Sequence, residues 1–101
     1  MLNHIHLIGI CGSGMSALAL WYRSRGYIVT GCDREPDETR SELAAKGIQV
    51  FEGHSPDHIK DVEEVVFSAA IPPDHPEIVQ SLENGLKVLR RSEALADLAN
   101  D

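Results

Sequence analysis

The sequence predicts an α/β fold in which about five parallel strands form a doubly wound sheet with helices on both faces. Short apolar strand patterns alternate with helical patterns five times, and the segments between them are short. Right-handed crossovers between such units favour the strand order 3-2-1-4-5. With 101 residues the chain is long enough for one domain core and too short for two, so residues 1–101 are expected to form a single domain.

The first half of the chain is expected to contain three strands and two helices. Strands are predicted over residues 2–10, 27–32 and 48–51, and helices over residues 15–25 and 38–46. A glycine follows each of these helices, at Gly26 and Gly47, which is typical of a helix C-terminus. His4 and His6 share one face of the first strand, where we expect them to be partly buried and hydrogen-bonded.

The second half is expected to contain two further strands, two further helices and a single helical turn. Strands are predicted over residues 62–68 and 86–89, helices over residues 76–84 and 92–98, and one helical turn ending near residue 59. Pro76 suits the first turn of its helix, because proline lacks the amide hydrogen that this turn leaves unbonded. Ser92 is predicted to cap the last helix, and Asp74 is a candidate N-cap for the helix over residues 76–84.

The composition is that of an ordinary globular protein and excludes several classes. Hydrophobic residues make up 43% of the chain and charged residues 25%, which argues against a disordered or fibrous protein. The net charge of −7 argues against a nucleic-acid-binding surface, which normally needs a basic patch. No apolar run approaches the roughly 20 residues of a membrane span. Because only Cys11 and Cys32 are present, we expect reduced thiols and a cytoplasmic protein.

A glycine-rich turn between the first strand and the first helix is the main functional signal. It consists of Gly9, Ile10, Cys11, Gly12, Ser13 and Gly14, with the spacing G-x-x-G-x-G. Glycines allow a ligand to approach the backbone, and a helix N-terminus presents unpaired N–H groups to an anion. The turn therefore predicts phosphate binding, and a purely structural turn is the alternative. The chain has no G-x-x-x-x-G-K-[ST] loop and hence no recognisable ATP phosphate cradle.

Polar residues that follow the other strands are expected at the same edge of the sheet. Asp33 ends the second strand, where a carboxylate can bind ribose hydroxyls or instead cap the loop that follows. Ser68 and the backbone near Ala69 follow the fourth strand, beside the point where the strand order reverses. His54 follows the third strand and could reach a nucleotide, although a surface histidine is an equal alternative.

The sequence does not predict a catalytic or metal centre in this chain. The helix N-terminus favours a thiolate at Cys11, but no base partner can be identified for it. His54 and His58 are spaced for a metal on one helical face, but Pro56 lies between them and no third ligand is visible nearby. We therefore expect neither a nucleophile–base pair nor a metal cluster.

Several segments together resemble the bacterial Mur ligases. The resemblance covers essentially the whole chain, and it lies in His4-Ile5-His6-Leu7-Ile8-Gly9-Ile10-Cys11-Gly12-Ser13-Gly14-Met15-Ser16, Gly31-Cys32-Asp33, Gly53-His54, Ser68-Ala69-Ala70-Ile71-Pro72, His75-Pro76-Glu77-Ile78 and Arg90-Arg91-Ser92-Glu93-Ala94-Leu95-Ala96. The sequence departs from the family pattern at Cys11, where glycine is usual, and at Cys32, where serine is usual.

The resemblance implies an N-terminal, Rossmann-like domain that binds the UDP part of UDP-N-acetylmuramic acid. The implied binding residues are Gly9, Ile10, Cys11, Gly12, Ser13, Gly14, Met15, Ser16, Cys32, Asp33, His54, Ser68, Ala69 and Ala70. ATP and Mg²⁺ would act in the ATP-binding and C-terminal domains of a longer enzyme, which would phosphorylate the muramate carboxylate and let an amine attack the acyl phosphate. This chain alone is then expected to bind without a cofactor and not to ligate. The implied process is peptidoglycan biosynthesis, and with it cell-wall biogenesis, cell shape and cell division.

Three alternatives remain open at the level of sequence. Within the family, the amine is either L-alanine, which the Gly14-Met15-Ser16 continuation favours, or a recovered tripeptide, which Ile10-Cys11-Gly12 also resembles. A nicotinamide-dinucleotide domain of an oxidoreductase or ligand sensor would fit Asp33 and the glycine turn, but its usual glycine spacing is different. An interaction module without a ligand would leave the glycine turn unexplained.

Overall fold

The structure is a computed structural model and describes residues 3–99, except for the side chain of Pro56. Five parallel strands form one sheet in the order β3-β2-β1-β4-β5, as the sequence predicts. The strands are β1 (His4–Ile8), β2 (Ile28–Asp33), β3 (Gln49–Glu52), β4 (Glu64–Phe67) and β5 (Lys87–Arg90). The helices are α1 (Ser13–Ser24), α2 (Thr39–Ala45), α3 (Pro76–Glu83) and α4 (Arg91–Ala99), and a 3₁₀ helix covers Pro56–Ile59.

Strand β1 lies at the centre of the sheet and is covered on both faces. Ile5, His6, Leu7 and Ile8 are all buried, as in a strand of a parallel sheet between two helical layers. One apolar cluster joins Ile5 and Leu7 to α1, α2 and α4, and a second joins Ile8 to α3 and to the segment after the 3₁₀ helix. The prediction of helices on both faces is therefore confirmed.

The ends of several elements differ from the prediction for identifiable reasons. Strand β1 stops at Ile8 because Gly9 adopts a positive φ of 82° and turns the chain, so Ile10 lies in the turn and not in the strand. The predicted start of this strand at Leu2 lies outside the described residues. Helix α1 begins at Ser13, directly after Gly12, and therefore includes two residues that were assigned to the turn. Strand β4 is also shorter than predicted and ends at Phe67.

Two predicted helix caps are wrong. Ser92 lies inside α4, and the side chain of Glu93 instead accepts a hydrogen bond from the Arg90 amide at 3.0 Å, as in one half of a capping box. Helix α3 is capped by His75 and not by Asp74, since Nδ1 of His75 accepts a hydrogen bond from the Glu77 amide at 3.1 Å. Pro76 begins this helix as predicted. Within residues 3–99, no helix is long and apolar enough to span a bilayer.

Gly31, in the middle of β2, allows the closest packing in the sheet. A Cβ atom at this position would lie 2.4 Å from Ile10 Cδ1 and 2.8 Å from the carbonyl oxygen of Leu7. Since the second of these neighbours is backbone of the central strand, a side-chain movement alone cannot make room. The turn after β1 therefore packs directly on β2.

We expect Gly31→Ala to lower the free energy of unfolding by about 3 kcal/mol through overpacking. The matched control is Gly85→Ala, where φ is 73° and a Cβ would have no neighbour within 4 Å, so that only backbone strain of about 1 kcal/mol is expected. Urea denaturation of both variants measures the difference. Equal losses would contradict the steric role of Gly31.

Candidate functional site

A crevice of about 450 Å³ opens at the carboxyl ends of β1 to β4. Its walls combine residues from four loops, namely Gly9, Gly12, Asp33, Arg34, His54, Ser68, Ala70, Ile71, Pro72 and His75. The structure thus brings together six of the predicted site residues and adds Arg34, Ile71, Pro72 and His75. The side chains of Ile10, Met15 and Cys32 are buried in the apolar clusters and do not line this crevice.

The glycine turn is held by hydrogen bonds that leave two amides free. The amides of Gly9 and Ile10 donate to the Cys32 carbonyl at 2.8 and 3.1 Å, and the Cys11 amide donates to Oδ2 of Asp33 at 3.0 Å. The first helical hydrogen bonds of α1 run from Met15 and Ser16 to the Gly12 carbonyl.

Among residues 3–99, the amides of Ser13 and Gly14 therefore have no acceptor. Helix α1 also has no side-chain cap and no acidic residue in its first turn. Its N-terminus keeps the partial positive charge that attracts an anion.

A side chain at Gly9 would be strained by the positive φ of 82° and would also crowd Ser68. A Cβ atom on Gly9 would lie 3.0 Å from Ser68 Oγ, so the hydroxyl is in contact with the glycine turn as predicted from the strand order. The loop after β4 is tied to β1, because the Ser68 amide donates to the Ile8 carbonyl at 3.3 Å. The turn and this loop therefore form two adjacent walls of the crevice.

The carboxylate of Asp33 connects the two loops that follow β1 and β2. Its Oδ2 accepts the hydrogen bond from Cys11, and its Oδ1 accepts one from the Glu35 amide at 3.1 Å. The second contact is that of a cap for the following loop, which was the alternative interpretation of this residue. Each oxygen has a further lone pair, so the binding of ribose hydroxyls stays a prediction.

The structure contradicts the expectation of a favoured thiolate at Cys11. Partial burial raises the pKa of this thiol, and the nearby carboxylates of Asp33 and Asp37 add to the rise. A pKa above the ordinary value of a thiol means that Cys11 stays protonated at neutral pH. Both cysteines of the chain are free thiols.

A second cavity of about 510 Å³ lies on the other side of the loop after β4. It is lined by Phe67, Ala69, Ile71, Pro73, Arg90, Arg91, Ser92 and Leu95. Ala69 therefore faces this cavity and not the crevice. The Arg91 guanidinium lies against the first turn of α1, since a Cβ on Gly14 would be 2.6 Å from Arg91 Cζ. It adds positive charge beside the free amides.

Behind the crevice lies a buried polar cluster that the sequence analysis missed. Its centre is Glu77, whose side chain is fully buried at the start of α3. Oε1 accepts a hydrogen bond from His6 Nε2 at 3.0 Å, and Oε2 accepts hydrogen bonds from His54 Nδ1 at 3.1 Å and from the Ser55 amide at 3.0 Å. The Cys32 thiol lies 3.3 Å from both carboxylate oxygens.

The cluster extends to the remaining histidines. His58 Nδ1 lies 3.4 Å from Oε2 of Glu77, so His54, just before the 3₁₀ helix, and His58, within it, share one carboxylate. His6 Nδ1 and His4 Nε2 both contact Thr30 Oγ1, at 2.9 and 3.0 Å. The expectation that His4 and His6 are hydrogen-bonded is confirmed. No third potential metal ligand was found near His54 and His58 in the sequence, whereas in the structure α3 brings the Glu77 carboxylate to them; the absence of a metal centre stays a prediction.

One feature of the sequence could have indicated this cluster. His6 lies between Ile5 and Leu7 in a strand that is buried on both faces, and a buried imidazole needs polar partners. Its partner could not be found from the sequence, because Glu77 lies 71 positions further along the chain, in the first turn of an ordinary helix.

The family profile described as "Mur ligase family, catalytic domain" matches residues 4–101. The chain belongs to the Mur ligase family. A curated relative, the UDP-N-acetylmuramate–L-alanine ligase of Dictyoglomus turgidum, is 45% identical over 103 residues, a match that covers 100% of this chain and 22% of the relative. The chain therefore spans about a fifth of the length of that relative.

Two solved structures of Mur ligases share the fold closely. UDP-N-acetylmuramate-alanine ligase MurC from Thermotoga maritima has a TM-score of 0.90 and 35% identity, over 96% of this chain and 23% of that one. Murein peptide ligase from Psychrobacter arcticus has a TM-score of 0.86 and 31% identity, over 94% of this chain and 20% of that one. The resemblance to Mur ligases that the sequence suggests is thus confirmed.

The protonation states in the cluster around Glu77 follow from its burial and from its hydrogen bonds. Burial alone would raise the pKa of Glu77, but the hydrogen bonds from His6, Cys32 and the Ser55 amide lower it to about 2. Burial also lowers the pKa of His6 and raises that of Cys32. At neutral pH the cluster therefore contains an ionised carboxylate and a protonated thiol.

We expect the stability conferred by Glu77 to depend on pH in a defined window. Its folded pKa of about 2 lies below its ordinary value of 4.5, so the unfolded chain binds more protons between these values and stability is lost as pH falls through them. The difference in unfolding free energy between the wild type and Glu77→Gln should be constant above pH 4.5 and shrink by about 3 kcal/mol towards pH 2.

Urea denaturation across this range, with a chelator present so that the carboxylate has only protein partners, measures the difference. Glu42→Gln is the matched control, because this exposed acid on α2 changes the net charge equally without touching the cluster. A difference that does not vary with pH would show that Glu77 is not ionised in the folded chain.

Proposed function

We propose that this chain is the UDP-N-acetylmuramic acid-binding domain of a Mur ligase, comprising residues 1–101, and that it holds the UDP part of the substrate in the crevice. The observation that carries the proposal is the open N-terminus of α1, with two unpaired amides at Ser13 and Gly14 directly beside the crevice. A diphosphate is the anion whose size and charge suit such a terminus in this class of fold.

The remaining walls offer the contacts that a nucleotide needs. Arg34 borders the crevice and Arg91 lies beside the free amides, so both can face the diphosphate. Asp33 and His54 follow β2 and β3 and lie where the ribose and the base would extend. Ser68 and Ala70 close the opposite side. Gly9 and Gly12 keep the floor free of side chains, so that the ligand can approach the backbone.

The whole enzyme is proposed to join L-alanine to the muramate carboxylate in the cytoplasm, as a step of peptidoglycan biosynthesis. This proposal rests on relatives that bear the name UDP-N-acetylmuramate–L-alanine ligase. ATP would transfer its terminal phosphoryl group to the carboxylate, and the amine would then displace phosphate to form the amide. Because this chain has no G-x-x-x-x-G-K-[ST] loop, ATP and Mg²⁺ would be bound by other domains of the enzyme.

A recovered tripeptide is the alternative acceptor, and it is supported by the likeness to a murein peptide ligase. The two alternatives share the nucleotide sugar and differ only in the amine. Assay of the full-length enzyme with each amine, following phosphate release, distinguishes them.

Calorimetric titration of the chain with UDP-N-acetylmuramic acid, and separately with NADH, tests the proposed ligand. We expect saturable binding of the UDP-sugar alone. Binding of NADH alone would favour a nicotinamide-dinucleotide domain and contradict the proposal, as would the absence of binding to either ligand.

Gly12→Val should weaken binding of the UDP-sugar at least about tenfold, because its side chain would occupy the approach to the free amides. The backbone at Gly12 is extended, with φ −63° and ψ 148°, so valine fits its conformation, although its Cβ would lie 3.2 Å from the Gly9 carbonyl oxygen. Circular dichroism checks that the variant folds. Ala45→Val, at an exposed position on α2, is the matched control and should bind normally. Unchanged affinity in folded Gly12→Val would place the ligand elsewhere.

A further inference from the structure

Four side chains of the buried cluster offer the donor atoms of a metal site. They are His6, Cys32, His58 and Glu77, and one ligand atom from each lies within 4.8 Å of the others. They come from β1, β2, the 3₁₀ helix and α3, so the group does not result from the spacing of residues within one element. We propose that this cluster binds one Zn²⁺ ion with these four residues as ligands.

The distances are close to those of a tetrahedral zinc site. His6 Nε2 lies 3.0 Å from Glu77 Oε1, Cys32 Sγ lies 3.3 Å from the same oxygen, and His58 Nδ1 lies 3.4 Å from Oε2. Bonds of about 2.0–2.3 Å to a central zinc separate neighbouring ligand atoms by about 3.3–3.8 Å. All four ligand atoms lie within 4.8 Å of one another, so movements of no more than about 1 Å would convert the hydrogen-bonded cluster into a coordination sphere.

The side chain of His58 gives independent support for a metal at this site. Its Nδ1 atom is buried and lies 3.4 Å from Glu77 Oε2, but this contact lacks the geometry of a hydrogen bond, and Nδ1 makes none within the described part of the chain. Buried polar atoms in folded proteins are nearly always paired, so this one lacks a partner that a metal would supply. The ring is held in place by stacking on Phe51, with centroids 4.3 Å apart and planes 10° apart. The unpaired nitrogen thus points at the carboxylate in a fixed orientation.

His6 has the supporting contact that is usual for a metal ligand. While its Nε2 faces Glu77, its Nδ1 contacts Thr30 Oγ1 at 2.9 Å, and Thr30 in turn contacts His4. Histidine ligands commonly use their second nitrogen in this way, which fixes both the tautomer and the ring orientation.

The donor set selects the kind of metal. A thiolate and two imidazoles favour zinc over Mg²⁺ or Ca²⁺, which prefer oxygen ligands. Zinc binds the thiolate, so the Cys32 thiol proton is released to solvent as the metal enters, while the neutral His6 ring changes tautomer and carries its proton on Nδ1, next to Thr30 Oγ1. Within residues 3–99 the ion-pair partners of Glu77 are all histidines, so no lysine or arginine competes with the cation.

Four protein ligands would fill the sphere, which makes the site structural and not catalytic. The metal would connect the central strands to α3 and to the 3₁₀ helix. His54, which borders the crevice, lies 3.1 Å from both Cys32 and Glu77 and would be positioned by the same ligands. The site would therefore support one wall of the crevice from behind.

The chain, freed of metal with a chelator, is titrated with Zn²⁺ against a chromophoric competitor and separately with Co²⁺. We expect one zinc per chain, and for Co²⁺ the absorption bands of a tetrahedral ion with a thiolate-to-cobalt charge-transfer band. Zinc should also raise the midpoint of thermal unfolding. Failure to bind zinc, or cobalt spectra without a thiolate band, would overturn the proposal.

Variants assign the ligands. Cys32→Ser should remove the charge-transfer band and weaken zinc binding at least about 100-fold, whereas Cys11→Ser, the matched control, should bind as the wild type does. His58→Gln tests the partly buried ligand, and it should weaken binding to a similar extent.

Two further variants separate this site from its neighbours. Thr30→Val should weaken zinc binding about 10-fold, as expected for a supporting contact. His75→Gln should leave it unchanged, because His75 belongs to a different possible group with His54 and Glu77. Loss of binding in His75→Gln together with normal binding in Cys32→Ser or His58→Gln would overturn the assignment.

Discussion

A carboxylate that is shut off from water must be surrounded by hydrogen-bond donors, and this requirement determines how the two halves of the chain meet. Glu77 of α3 is fully buried and takes its donors from β1, β2 and the loop that begins the 3₁₀ helix. Removing any one donor would leave a charge incompletely paired in the protein interior, which is costly. Helix α3 and the loop after β3 are therefore fixed to the sheet by polar contacts as well as by apolar packing.

The end of β2 joins this cluster to the crevice. The Cys32 side chain contacts Glu77, while its carbonyl accepts the hydrogen bonds from Gly9 and Ile10 that shape the glycine turn. The next residue, Asp33, holds the Cys11 amide through its carboxylate. Two consecutive residues of one strand thus contact both the cluster and the glycine turn.

The parts of the structure that depend on local patterns could be predicted from the sequence. The strand order follows from alternating patterns and from the handedness of crossovers, and the glycine turn follows from residues 9–14. The helix caps were harder to predict. Asp74 and His75 both precede α3, and only the side-chain orientation in the folded structure selects between them. The reactivity of Cys11 was misjudged because burial and two carboxylates, both set by tertiary structure, oppose the helix field.

The cluster was missed for a different reason. His6 and Glu77 are 71 positions apart, and a single sequence contains nothing that pairs them. His54 and His58 had a visible spacing, but the carboxylate between them comes from another element. Sites formed by residues that are distant along the chain can be recognised in one sequence only through an anomaly, such as a histidine in a buried strand.

The central position of β1 has a consequence for synthesis on the ribosome. Its residues pair with β2 as soon as residue 33 has emerged, but residue 5 must wait for residue 64 before its other edge is covered. During that interval an apolar strand presents an open edge, which is a common starting point for aggregation between nascent chains. His4 and His6 interrupt the apolar run of this strand with polar rings. Polar side chains within an apolar run lower its tendency to form sheets between chains.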